Sequence, residues 1–220
     1  MLNTVYRLVE PRKFEAHFTD IDVLGDEVIV RPTHLSICNA DQRYYQGKRA
    51  KEVLKQKLPM SLIHEAIGQI EYDPKNEFKI GSYVVMIPNT PQEHDDIIAE
   101  NYLRSSKFRA SGFDGFMQDY VSMDRNRLVS LPSEINLNVA AFTELVSVSY
   151  HAINRFEKFS HSRKREVGVW GDGNLAFITS LLIKKRFPNT KIYIFGKNDY
   201  KMRDFVFADA LFDITDIPKD

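Results

Sequence analysis

Along the first 131 residues the hydrophobic positions come in short β-branched and aromatic runs: "VYRLVE", "EVIVRPTHLSIC", "LIHEAIGQIEY", "GSYVVMIP" and "FMQDYVSM". They are broken by "GD", "DPKN" and "NTP", and no long amphipathic helix lies among them, a texture that predicts the strands of a small barrel or sandwich. Residues 91–115, "PQEHDDIIAENYLRSSKFRASGFDG", interrupt it with charged, irregular sequence. They read as a solvated surface loop with a short helix around "DDIIAENYLRSS". After "LPSEINL" the period changes. Within residues 137–157, Val139, Phe142, Leu145, Val146, Ser149 and Ile153 recur at intervals of three and four, which predicts one helix and entry into a second domain. Beyond it, "EVGVW" and "KIYIFGK" are continuous apolar strands on either side of "GDGNLAFITSLLIKKRFPNT", a glycine turn opening an amphipathic helix. Strand, helix and strand of this kind make one unit of a parallel sheet covered on both faces. A further helix over "YKMRDFVFAD" and a third strand at "ALFDIT" are expected.

Composition narrows the class. With 220 residues, 43% hydrophobic and 27% charged, the chain reads as a soluble globular protein of one large or two modest domains. Lys and Arg number 30 and Asp and Glu number 30, so no net field draws it to nucleic acid or to an anionic membrane, and neither is expected as a partner. The N-terminal "MLNTVYRLVEPRKFEAHF" mixes charge among its apolar residues and does not read as a signal peptide. No stretch approaches the roughly 20 apolar residues of a membrane helix. The single cysteine, Cys38, excludes an intrachain disulfide framework and suits a reducing compartment, so the cytoplasm is the expected location.

Candidate chemistry begins in "PMSLIHEAIGQIEY". On a regular strand Ile63, Glu65 and Ile67 would point one way and Leu62, His64 and Ala66 the other. Burying the Glu65 carboxylate costs several kcal/mol unless it is paired or bound to a cation. Cys38 in "SICNADQRYYQG" and Glu144 in "FTELVSVSYHA" add a thiol and a second carboxylate. Thiolate, imidazole and carboxylate are all zinc ligands, and three protein ligands plus water make the open, catalytic kind of site. Each also has a plainer reading: Cys38 as a small buried hydrophobe, His64 as a hydrogen-bonded core histidine, Glu144 as a carboxylate at a helix N-terminus.

The glycine turn is Gly171-Asp172-Gly173-Asn174-Leu175-Ala176, a G-x-G-x-x-A pattern between strand and helix. Its first glycine allows the tight turn, its second lets a pyrophosphate approach the backbone, and small Ala176 lets helix and strand pack closely. This is a Rossmann-type dinucleotide signature. A complete domain of that kind has about six strands, so the sheet is expected to be incomplete, with an open edge that invites association. Where an NAD site carries an acidic residue for the ribose 2′-hydroxyl, this chain has Gly196 and Lys197, which favours NADPH; Asp199 would supply the acid if the strand ended later.

Taken in order, "SICNADQRYYQG", "LPMSLIHEAIGQI", "GSYVVMIPN", "DGFMQDYV", "TELVSVSYHA" and "VWGDGNLA" resemble the zinc-dependent medium-chain dehydrogenase/reductase family, the alcohol and polyol dehydrogenases. Within it, "ICNADQRYY", "KLPMSLIHE", "DGFMQDYV" and "WGDGNLAFIT" are similar to the ribulose-5-phosphate reductases, or ribitol-5-phosphate dehydrogenases, which supply ribitol phosphate for bacterial teichoic acids or capsules. The resemblance implies an α/β chain: a GroES-like β-barrel catalytic domain over residues 1–149, followed by an incomplete Rossmann-type cofactor domain over residues 150–220. It implies Cys38 and His64 as zinc ligands, with Glu65 as a third ligand or exchangeable neighbour and Glu144 where other members offer a further ligand. Asp41 stands where a carboxylate orients the histidine. With one cysteine in the chain, the family's second, structural zinc is not expected, and residues 91–115 stand in its place. Ala40 replaces a proton-relaying Ser or Thr, leaving water, Tyr44 or Tyr45 for that task.

The activity implied by the resemblance is an NADPH-dependent reduction of a phosphorylated ketopentose, with Arg43, Lys48, Arg49 and Lys51 as candidates for the substrate phosphate. A dimer or tetramer and a functional pairing with a cytidylyltransferase of the same pathway are expected. Two alternatives stay open: a polyol or secondary-alcohol dehydrogenase on an unphosphorylated substrate, and a non-catalytic domain that binds only zinc or a partner.

Overall fold

The strand runs do form strands, and the first of them is half of a hairpin. In a computed structural model that describes residues 1–215, β1 (Leu2–Glu10) pairs antiparallel with β2 (Lys13–Asp20) across a turn in which Arg12 takes a φ of 68°. β2 was not legible as a strand because its apolar side chains, such as Phe14 and Phe18, are exposed on the sheet edge and follow no inward period. β3 (Val28–Ser36) follows, then two seven-residue helices, α1 (Asn39–Tyr45) and α2 (Lys51–Lys57). Two turns are too short to leave a periodic signal, so neither helix was expected. The remaining strands of this region are β4 (Met60–Ser61), β5 (Glu65–Tyr72), β6 (Tyr83–Met86), β7 (Asn89–Thr90), β8 (Lys107–Phe108), β9 (Val121–Met123) and β10 (Leu128–Ser130).

An antiparallel five-stranded sheet runs in the order β10-β6-β5-β3-β9, with a three-stranded sheet β2-β1-β4 and the small pair β7-β8 beside it. Val28, Val30, Ala66, Ile70, Val84, Met86, Phe116 and Val121 fill the main core. Each such side chain contributes about 1.5–3 kcal/mol by leaving water. Pro32 lies inside β3 and has no N–H to give, and there the register against β5 shifts: Pro32 pairs with Gly68 and His34 with Ile67, leaving Thr33 bulged. Beyond the bulge Ser36 comes opposite Glu65.

Three expectations about helices are corrected. Among residues 91–115 the helix is only a single 3-10 turn, Glu100–Tyr102, because Asp95 accepts from Ile97 N and Ile98 N and so offers the backbone a turn instead. The single helix over 137–157 is two: α3 (Leu137–Ala140) and α4 (Thr143–Phe159). Asn136 caps α3, and the small Ala140 and Ala141, not Val139 and Phe142, are the buried residues, packed with Ile67 and Val85. The helix over "YKMRDFVFAD" shrinks to four residues, as the region beyond β11 (Glu166–Trp170), α5 (Asn174–Arg186) and β12 (Lys191–Gly196) shows: α6 (Asp199–Met202) stops and Phe205 and Phe207 turn inward against Phe177.

By internal contacts the chain divides into Met1–Glu144 and Leu145–Asp220, and residues 216–220, the tail of the second expected domain, lie outside the described residues. In the second unit β11, β12 and β13 (Ala210–Asp213) form a parallel sheet in that order. Ile153, Ile183, Ile192, Ile194 and Phe205 pack one of its faces. On the other, Trp170, Phe195 and Phe212 stack in a row across the three strands, with Trp170 and Phe212 exposed. The sheet is thus covered on one face among the described residues, where cover on both was expected.

Candidate active site

Strict strand alternation would have kept His64 and Glu65 on opposite faces. Ile63 breaks it: β5 begins only at Glu65, and Ile63 has a φ of 72°, a left-handed conformation that costs a β-branched residue about 1–3 kcal/mol. Three contacts hold it there. Ile63 N donates to Asp41 Oδ1 at 2.9 Å, and the carbonyls of Ile63 and Leu62 accept from Phe116 N at 2.7 Å and Met117 N at 3.2 Å. This close approach needs Gly115, where a Cβ would lie 2.3 Å from the Leu62 carbonyl oxygen and 2.4 Å from that of Ile63. As a result, ligand atoms of Cys38, His64 and Glu65 all come within 4.8 Å of one another.

Cys38 is the N-cap of α1, and Asp41, three residues on, reaches back to it: Oδ2 accepts from Cys38 N at 3.1 Å and from Cys38 Sγ at 3.0 Å. Asp41 is buried and therefore ties Cys38 to the backbone just before His64. It acts on the histidine through that backbone. Burial, then the Asp41 carboxylate, push the Cys38 thiol up to about 12. Glu65 is buried and its carboxyl is raised by that burial, partly offset by the Ser36 hydroxyl. Its Oε2 is buried without a hydrogen-bond partner in the structure. Glu144 is pushed up to about 7 by burial and then by the charge of Glu65. Burial thus works against charge on Cys38, Glu65 and Glu144, and a cation held by the grouped Cys38, His64 and Glu65 would favour the charged forms; Glu144 is not one of the three grouped residues. The donor set suits zinc, which bonds such atoms at about 2.0–2.3 Å and would draw the three slightly together.

The basic residues after Cys38 are less gathered. Arg43 Nε donates to the Lys48 carbonyl at 3.3 Å, and Lys48 and Lys51 are exposed. Arg49 lies with its guanidinium 4.8 Å from the centre of the Tyr44 ring and its Nε buried without a partner. Tyr44 is buried with Leu8 and Met60, whereas Tyr45 is part exposed and stacks on Phe14.

The glycine turn has the shape its motif requires. Gly171 takes a φ of 139°, a Cβ there would lie 3.4 Å from Ala176 Cβ, and a Cβ at Gly173 would meet nothing within 4 Å. That open space is what a pyrophosphate would use. Beside it, Trp170, Gly171, Asp172, Phe195, Gly196, Lys197, Asn198 and Ile214 line a cavity of about 270 Å³. Sequence reasoning passed over Asp172, Gly115 and Ser36: the first was one variable letter of a motif, and the others owe their importance to contacts made far along the chain.

Residues 25–133 match the family described as the alcohol dehydrogenase GroES-like domain. By this match and by the relatives that follow, the chain is similar to the medium-chain dehydrogenases. Over 220 residues it is 58% identical to the ribulose-5-phosphate reductase of Bacillus spizizenii and 56% identical to ribulose-5-phosphate reductase 2 of Staphylococcus aureus, covering all of this chain. It spans 64% of the length of these curated relatives. The crystal structure of Staphylococcus aureus TarJ in complex with NADPH superposes with a TM-score of 0.81 at 49% identity, covering 100% of this chain and 62% of that one. L-idonate 5-dehydrogenase of Escherichia coli shares the fold, with a TM-score of 0.87 at 21% identity over 100% of this chain and 65% of that one. Among the described residues no helix is long and apolar enough to cross a membrane.

Proposed function

We propose that the chain carries the zinc site and the first part of the cofactor site of an NADPH-dependent reductase that converts ribulose 5-phosphate to ribitol 5-phosphate, for teichoic acid or capsule synthesis. The observation that carries this reading is the grouping of Cys38, His64 and Glu65 within 4.8 Å around the unpartnered Glu65 Oε2. The names of the relatives at 56–58% identity, ribulose-5-phosphate reductases, supply the substrate, and the NADPH complex of TarJ supports the cofactor.

Cys38, His64 and Glu65 would hold the ion, with Glu144 as a ligand that can exchange into its shell, and Asp41 would keep the cysteine and the histidine-bearing backbone in register. When bound, zinc would polarise the substrate carbonyl and NADPH would provide the hydride. The sugar phosphate needs a cationic partner. Arg43, Lys48, Arg49 and Lys51 are the candidates, and of these Arg49 has its guanidinium against the Tyr44 ring. Gly171, Gly173 and Ala176 would form the pyrophosphate turn, and Gly196 with Lys197 would receive the ribose 2′-phosphate. A homo-oligomer and a pairing with a cytidylyltransferase belong to the same reading, as does a single zinc per chain.

The test is metal content and turnover together. Near one zinc per chain, lost in both Cys38→Ser and His64→Ala, with NADPH oxidation faster on ribulose 5-phosphate than on ribulose, is the expected result. Equal rates on the two sugars would move the reading to an unphosphorylated polyol. An absence of zinc from protein prepared without chelator would remove its electrophile.

A further inference from the structure

Asp172, between the two glycines of the turn, does more than fill a variable position. Its Oδ2 accepts three hydrogen bonds: from Lys197 N at 2.8 Å, from Asn198 N at 2.8 Å and from Asn198 Nδ2 at 2.9 Å. All three donors sit on the segment that leaves β12, so one carboxylate oxygen ties that segment to the turn opening α5. The neighbouring residue is packed just as closely: a Cβ at Gly196 would lie 2.6 Å from Met202 Sδ and 3.0 Å from Asp172 Cβ. An acidic side chain at the position that would read a ribose 2′-hydroxyl would therefore have to displace Met202 and crowd Asp172. Lys197, exposed on the wall of the same cavity, is the next side chain along. Because Asp172 occupies the N–H groups of Lys197 and Asn198, those two backbone donors are not offered to an anion at this end of the cavity, whereas the Lys197 side chain is.

We propose that Asp172 is a positioning residue for nucleotide selection: by clamping the backbone of Lys197 and Asn198 to the glycine turn, it holds the Lys197 ammonium at the ribose end of the cavity and so sets the preference for a 2′-phosphate. The inference rests on the NADPH reading above. Asp172 has no need to touch the nucleotide. A lysine on an anchored backbone loses less freedom on binding than one on a loose loop, and the gain goes only to ligands that carry the extra phosphate.

The test compares adenosine 2′,5′-bisphosphate with adenosine 5′-monophosphate by calorimetry, beside amide exchange at Lys197 and Asn198. Asp172→Ala is expected to weaken the bisphosphate by about tenfold and leave the monophosphate within about twofold, the size of one charge-assisted contact. Exchange at both amides should quicken, and Asp172→Asn, which keeps an oxygen acceptor, should recover most of the selectivity. Equal weakening of both ligands, or unchanged selectivity, overturns the proposal. Lys197→Ala, which leaves the clamp in place, must lose the same selectivity; its retention overturns the proposal even where Asp172→Ala fails to fold. A wild type that does not distinguish the two nucleotides overturns the NADPH reading itself, and the inference falls with it.

Discussion

Asp41 Oδ1 accepts a hydrogen bond from Ile63 N at 2.9 Å, and Ile63 is the residue whose left-handed backbone turns His64 and Glu65 toward Cys38. One buried carboxylate thus anchors both halves of the candidate metal site, since its other oxygen holds Cys38. The strain at Ile63 and the convergence of Cys38, His64 and Glu65 are one structural fact.

The first consequence concerns metal affinity. Removing the carboxylate in Asp41→Ala should weaken zinc binding by about 10–100-fold, the usual effect of losing a group that orients ligands. Asp41→Asn, which can still accept from Ile63 N, should fall between. Competition against a chromophoric chelator measures it, and an alanine variant with wild-type affinity would sink the role given to Asp41.

Gly115 carries a prediction about stability rather than chemistry. A methyl group there would press within 2.3 Å of a backbone carbonyl that has no room to retreat. Gly115→Ala should cost about 2–4 kcal/mol in urea denaturation. At Gly25 the nearest atom to an added Cβ is 3.8 Å away, so Gly25→Ala should stay within about 0.5 kcal/mol. If both variants melt alike, the close approach of residues 62–63 to residue 115 is wrong.

Acid sensitivity arises at Asp73. Burial alone would push its carboxyl up, but N–H groups of Phe78, Lys75 and Glu77 and the Arg125 guanidinium outweigh that and hold it below the usual 3.8. A depressed folded-state value stabilises the protein above the unfolded value and ceases to do so as pH falls through the folded one. Asp73→Asn should therefore cost about 1–3 kcal/mol near pH 7, and the gap to wild type should close as the pH drops below the ordinary carboxylate range. Denaturation midpoints across acid pH decide it; a gap that widens toward acid contradicts the assignment.

The legible features were those encoded locally. "EVGVW" and "GDGNLA" carry their strand, turn and helix in adjacent letters, and β11, Gly171 and α5 lie where those letters put them. The candidate ligand group could be nominated from chemistry, because a carboxylate amid "LIHEAIGQI" is costly unless something answers it. Its geometry was not: the kink at Ile63 depends on Asp41, 22 residues earlier, and on the closeness of Gly115 far downstream. The misreading of residues 137–157 has the same root. Val139 and Phe142 have the stronger hydrophobic signal, yet Ala140 and Ala141 fit the tight space against Ile67 and Val85, and size decided which face turned inward.

Trp170 gives the cofactor half of the reading an independent optical test. It is the single tryptophan of the chain, it is 72% exposed, and it stacks on Phe195 with ring centroids 4.5 Å apart and planes 8° from parallel. It also lines the cavity that contains Gly171 and Lys197. An indole so exposed should emit at long wavelength, and a nucleotide entering beside it would remove water from one edge without needing to disturb the stack. Titration with adenosine 2′,5′-bisphosphate should then produce a saturable change in emission whose midpoint agrees with calorimetry. Trp170→Phe should erase the optical change and keep the calorimetric affinity within about threefold, because phenylalanine preserves an aromatic partner for Phe195. An emission unaffected by saturating nucleotide would mean that the ligand, if it binds, lies away from the glycine turn, and the Rossmann-type assignment of this cavity would have to be abandoned.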